Sequence, residues 1–249
     1  MNMELMTMAQ LTLTAKYMIR TGDFDRDIKL NENIEKVIFR FAAHGDGAAI
    51  PAIEVDSRED WLKILQERGA EDVKLIIPDE IDDYGKLIVF NKVPCVMLFF
   101  GRDYVSSWNR IWTINPANNK WIVLLVESII ENPPKEKPHF SDVSQEMATL
   151  LQRLRALAQK LELSESSFAF NAALKSLQAD FVRGDEMAPA NRRLMQAAAD
   201  AYVFGGQGSW NDKGQAAAAA KGLTAEYEAL TKDLYRGITL SMMYAVNEW

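Results

Sequence analysis

Glu131–Phe140 reads ENPPKEKPHF, and it divides the chain into two kinds of sequence. Its prolines can neither continue a helix nor donate to a central strand, and its alternating charges present no apolar face. The stretch therefore reads as a linker. On this basis residues 1–132 are expected to form a sheet domain, 133–140 a proline-rich connection and 141–249 a helical domain.

Upstream of the seam the pattern is that of strands. IEKVIFRFAA (Ile34–Ala43), VKLIIP (Val73–Pro78), KLIVFNKV (Lys86–Val93), PCVMLFFG (Pro94–Gly101), YVSSWNRIWTI (Tyr104–Ile114) and KWIVLLVESII (Lys120–Ile130) are rich in β-branched and aromatic residues. NPANN, Asn115–Asn119, suits a hairpin connection. One helix stands out in DSREDWLKILQERG, Asp56–Gly69. Asp56 or Ser57 can cap its start, acids crowd its first turn, Gly69 can end it, and Trp61, Leu62 and Leu65 share one face. Short connections favour antiparallel pairing, so the expectation is an antiparallel sheet with one or two helices against it. The segment before Ile34 fits either a strand or a helix.

Downstream the period becomes helical. Val143, Met147, Leu150, Leu154, Leu157 and Leu161 recur at three- and four-residue steps. Phe170, Leu174, Leu177 and Phe181 repeat the pattern, with Gly184 as a stop. A third helix is expected over Ala190–Phe204 and a fourth from about Thr224, carrying Tyr227, Leu230, Leu234, Ile238 and Ala245. The fold class is therefore α+β, with a C-terminal bundle of about four helices.

At 48% hydrophobic and 25% charged residues, the composition is that of a folded chain. The single cysteine, Cys95, forms no internal disulfide and suits a reducing compartment. MNMELMTMAQ lacks the basic and apolar regions of a secretory leader. The longest apolar runs, VPCVMLFF and WIVLLV, fall well short of the roughly 20 residues that cross a bilayer. These features point to a cytoplasmic protein with no membrane partner.

The formal net charge of −7 has a location. Glu54–Asp83 holds eleven acids against four bases, an excess equal to that of the whole chain. A nucleic-acid backbone would select clustered Lys and Arg, so such a partner is disfavoured. A basic protein would instead be attracted. The residues expected to meet it are Asp79, Glu80, Asp82 and Asp83, with Glu59, Glu71 and Asp72.

Motifs for chemistry are sparse. YVFGGQGSWNDKG, Tyr202–Gly214, is glycine-rich, but no Gly-Lys-Ser/Thr follows and no strand is expected before it. A helix end at Gly205, a reversal, and a cap from Ser209, Asn211 or Asp212 for a short Ala-rich helix explain it. An exposed Trp210 would alternatively anchor a partner. Asp23, Asp25 and Asp27 alternate as in a calcium loop, but Ile28 and Ile34 occupy the positions that need Gly and Glu. PDEIDDYG, Pro78–Gly85, has no calcium-loop spacing. His44 and His139 are the only histidines, too few for a zinc site. No cofactor or metal is implied.

Two functional classes follow. The first is a non-enzymatic protein-binding module with an acidic face, for which an immunity or antitoxin-like neutraliser of a basic partner is a concrete form. The second is a small-molecule-binding protein or unclassified hydrolase, with a pocket on the concave face of the sheet lined by His44, Trp108 and Trp112. A structural subunit is a third reading, and homo-oligomerisation is left open.

Overall fold

The computed structural model describes residues 3–24, 30–43, 53–78, 95–134, 136–180, 187–205 and 208–249. The protein is α+β. Its chain order is α1 (Met3–Thr21), β1 (Ile34–Arg40), β2 (Glu54–Val55), α2 (Arg58–Glu67), β3 (Ala70–Ile76), β4 (Val96–Gly101), β5 (Val105–Asn115) and β6 (Lys120–Ile129). Five helices follow: α3 (Ser144–Lys160), α4 (Ser164–Gln178), α5 (Pro189–Asp200), α6 (Trp210–Ala220) and α7 (Thr224–Asn247). The strand expected over Lys86–Val93 lies outside the described residues. Two compact units divide the chain, one of Thr7–Ile76 with Cys95–Pro138 and the other built on His139–Trp249.

The first unit carries a six-stranded sheet in the order β2-β1-β6-β5-β4-β3. Four of its five pairings are antiparallel, but β1 runs parallel to β6. This corrects the expectation of an antiparallel sheet. Short connections govern only consecutive strands; β1 and β6 are joined through β2, α2 and three further strands, which provides ample chain for a crossover.

Register decides which side chains meet. Trp108 lies opposite Met97 on one side and Glu127 on the other, while Phe39 lies beside Leu125. Because side chains alternate along a strand, these residues share one face. α2 lays Trp61, Leu62 and Leu65 onto it. Trp61 stacks on Phe39 with ring centroids 4.3 Å apart, and meets the edges of Phe99 and Trp108 at 5.9 and 6.0 Å. Each such aromatic pair adds about 0.5–1.5 kcal/mol beyond burial.

α1 resolves the ambiguity before Ile34. Leu5, Met8, Leu11, Ala15 and Met18 follow helical spacing, yet Thr7, Thr12, Thr14 and Lys16 are buried as well. Burial on several sides blurs the one-sided stripe by which a helix is recognised. Gly22, at φ +72°, closes it with its N–H on the Met18 carbonyl.

In the second unit α3 packs on α4 and α7, α5 on α4 and α7, and α6 on α7. Five helices stand among the described residues of this unit, where a bundle of about four and a short Ala-rich helix were expected. α6 is that Ala-rich helix: its run of alanines has high helix propensity but no large apolar stripe. A side-chain carbon at Gly214 would lie 2.5 Å from the Tyr227 ring, so this glycine is what admits α7 so close to α6.

Candidate functional site

The described part of the acidic segment, Glu54–Pro78, is organised by α2. Ser57 occupies the cap position and accepts a hydrogen bond from the Asp60 N–H at 3.3 Å. Glu59 and Asp60 then sit in the first turn, where the helix dipole favours negative charge. Since Trp61, Leu62 and Leu65 are drawn to the sheet, the 3.6-residue period turns Glu59, Asp60, Lys63 and Glu67 outward. Gly69, at φ +73°, reverses the chain into β3, and Glu71 is exposed just after it.

Two of the segment's four bases face inward. Arg68, 12% exposed, ion-pairs with the fully buried Glu127 at 2.8 Å. The same guanidinium donates to the Ala42 carbonyl at 3.2 Å and lies 4.7 Å from the centre of the Phe41 ring. The Ala42 N–H donates to the same carboxylate oxygen of Glu127 at 3.0 Å, while the other oxygen, Oε1, has no hydrogen-bond partner among the described residues. Beside this cluster Tyr104 has its pKa pushed up to about 12, first by burial and then by the negative charge of Glu127. Lys74 is the second inward base, 6% exposed on β3.

The acids divide into paired and open ones. Asp72 is held by the buried Lys16 at 3.0 Å, with Lys137 3.9 Å away. Burial lowers the pKa of Lys16, and Asp72 opposes that shift. Glu54 pairs with Arg40 at 2.9 Å across the β1–β2 ladder. Glu59 pairs with Lys63, whose hydrogen bond holds its carboxyl below the usual range. Asp56, Asp60, Glu67 and Glu71 are exposed. Asp79, Glu80, Asp82 and Asp83 lie outside the described residues.

The other expected sites fall elsewhere. Trp108 has no exposed surface and fills the aromatic core, with edge contacts to Phe39, Phe41, Trp61 and Phe99. Its register beneath α2 makes it packing, with no area left to line a pocket. Trp112 is half-buried against Trp121 at 5.8 Å, and His44 lies outside the described residues. Trp210 is also fully buried, so its indole does not reach a partner as an exposed anchor; it donates to Thr231 Oγ1 at 2.8 Å.

The glycine-rich loop before α6 uses its own side chains. The Gly205 N–H is taken by Asn211 Oδ1 at 3.2 Å and that of Gly208 by Asp212 Oδ2 at 2.6 Å. Gly205 and Gly208 both have positive φ. Those amides are occupied internally rather than presented to a phosphate.

Sequence reasoning missed the Arg68–Glu127 pair. Its mark was present: Glu127 is an acid at an inward position of the apolar run WIVLLVESII, and a buried acid demands a cation. Among the described residues, no group of three or more His, Cys, Asp or Glu is arranged to hold a metal ion. No helix there is long and apolar enough to cross a membrane.

These features define an α+β protein with a mixed six-stranded sheet and a largely C-terminal set of helices. Compared with protein-family models, curated proteins and solved structures, the chain matches none.

Proposed function

We propose that the protein is a non-enzymatic binding module that docks a basic protein on the outer face of α2 and the start of β3. One observation carries the reading: acids of Glu54–Pro78 point outward while Arg68 and Lys74 of the same stretch are turned inward. The surface is thus more acidic than the sequence balance alone requires. A field of this kind raises the rate of encounter with a cationic partner and weakens with salt. An immunity or antitoxin-like neutraliser is its concrete form, because covering a basic cleft needs negative charge and no chemistry. The reading places the protein in the cytoplasm, where the lone, buried Cys95 stays reduced.

The test uses the full chain as bait in native lysate, followed by kinetics with the captured protein. The triple variant Asp60→Lys, Glu67→Lys, Glu71→Lys is expected to slow association by about tenfold at low ionic strength and to flatten its salt dependence. Association rates equal to those of the native chain, with the same slope against salt, sink the proposal.

A further inference from the structure

A cleft of about 610 Å³ opens between the end of α3 and the beginning of α4. Its size lies within the roughly 300–1,000 Å³ of small-molecule sites. Arg155 and Gln159 enter from α3; Ser164, Ser167, Phe168 and Asn171 enter from α4. Arg155 is oriented by Asn171, whose Oδ1 accepts from Nη1 at 3.1 Å, and among the described residues its other guanidinium donors meet no acceptor.

The charge in this cleft is unbalanced. Glu162 is the acid in its wall, and Lys221 neutralises it while also donating to the Lys160 carbonyl at 2.7 Å. The hydrogen bond from Lys221 to Glu162 holds the Glu162 carboxyl below its usual range. Glu165, in the same turn, is exposed and does not line the cleft. Among the described residues no carboxylate lies within ion-pairing distance of Arg155. Ser164 and Ser167 line the same cleft as this oriented guanidinium, and together they offer hydroxyl and guanidinium donors to an oxyanion.

Phe168 supplies the second half. It is 75% exposed, the most exposed large hydrophobic among the described residues, and it stands in the cleft wall. A ring placed there gains by covering a flat apolar surface. We propose that this cleft binds a small organic oxyanion, with Arg155 holding the carboxylate or phosphate and Phe168 covering an attached planar apolar group. The site is independent of the acidic face.

The experiment titrates the isotope-labelled full chain with inorganic phosphate, benzoate and phenyl phosphate, following backbone NMR signals. Saturable shifts confined to the α3–α4 corner are expected with an aromatic probe and only weakly with inorganic phosphate. The preference between benzoate and phenyl phosphate identifies the anion. Arg155→Gln should weaken the favoured aromatic probe by roughly tenfold or more. Phe168→Ala should bring that probe down to the level of inorganic phosphate. Both variants alter surface side chains, and unchanged signals elsewhere verify their fold. No saturable shift at millimolar concentration, equal affinity for all three probes, or binding untouched by Arg155→Gln overturns the proposal.

Discussion

Trp108 in the sheet unit and Trp210 in the helical unit are both fully buried, yet they are held in opposite ways. Trp210 donates its indole N–H to Thr231, and its carbonyl accepts the Tyr227 hydroxyl at 3.0 Å. Thr231 in turn donates to the Tyr227 carbonyl one turn back on α7, so the polar groups form a closed local chain. Trp108 is surrounded by aromatic rings, and among the described residues neither its indole N–H nor that of Trp61 has a hydrogen-bond partner. The sheet unit relies on ring packing here and holds buried charge elsewhere, in the Arg68–Glu127 pair bonded to Ala42 and in Lys16 and Lys74. The helical unit ties this buried tryptophan in with local hydrogen bonds. The two arrangements should therefore fail differently.

The largest expected effect is at Glu127. Glu127→Ala leaves the mostly buried Arg68 without its carboxylate, at a cost of about 3–5 kcal/mol in unfolding by urea. Arg68→Met combined with Glu127→Leu removes both charges and should recover most of that loss, since a buried pair gains little over an apolar one. A loss below about 1 kcal/mol for Glu127→Ala would equate the cluster with a surface pair and break the comparison.

The same contrast separates what was legible in the sequence from what was not. α2 was readable because its cap, its acidic first turn, its apolar face and Gly69 all agree. α3 was readable because its buried residues follow one stripe. The parallel β1–β6 pairing was hidden because pairing between distant strands leaves no local mark. Trp108 and Trp210 fit the core as well as a pocket wall or a partner anchor in the sequence, because residue type does not fix side-chain direction, whereas register and helix packing do. Of the acidic site, exposure on α2 follows from helical period, but the inward turn of Arg68 depends on Glu127, fifty-nine residues away.

A smaller effect is expected at Thr231. Thr231→Val keeps its shape but removes the acceptor of the Trp210 indole, leaving a buried donor unpaired at about 1–3 kcal/mol. Ser106→Ala is the sheet-unit counterpart, since its buried hydroxyl has no hydrogen-bond partner among the described residues. Urea unfolding of the two variants should show a loss for the first and little change or a gain for the second. Equal losses would mean that Ser106 is satisfied by water, and that the two units treat buried polarity alike.

The smallest effect concerns helix starts. Ser57 gives α2 a side-chain cap, whereas the residues in the corresponding position before α3, α4, α5, α6 and α7 make no such bond. A ten-residue helix has few turns over which to spread the cost of its unpaired N–H groups. Ser57→Ala is expected to cost about 1 kcal/mol or less, because the bond it removes is long at 3.3 Å. The readout that separates capping from packing is amide hydrogen exchange along α2. With the cap removed, exchange at Glu59 and Asp60 should accelerate more than at Leu65, which is fixed against the sheet. Uniform acceleration along the helix would show that Trp61 and Leu65 hold α2 as one block. In that case this short helix behaves like the uncapped helices of the other unit, and packing alone positions its acidic face.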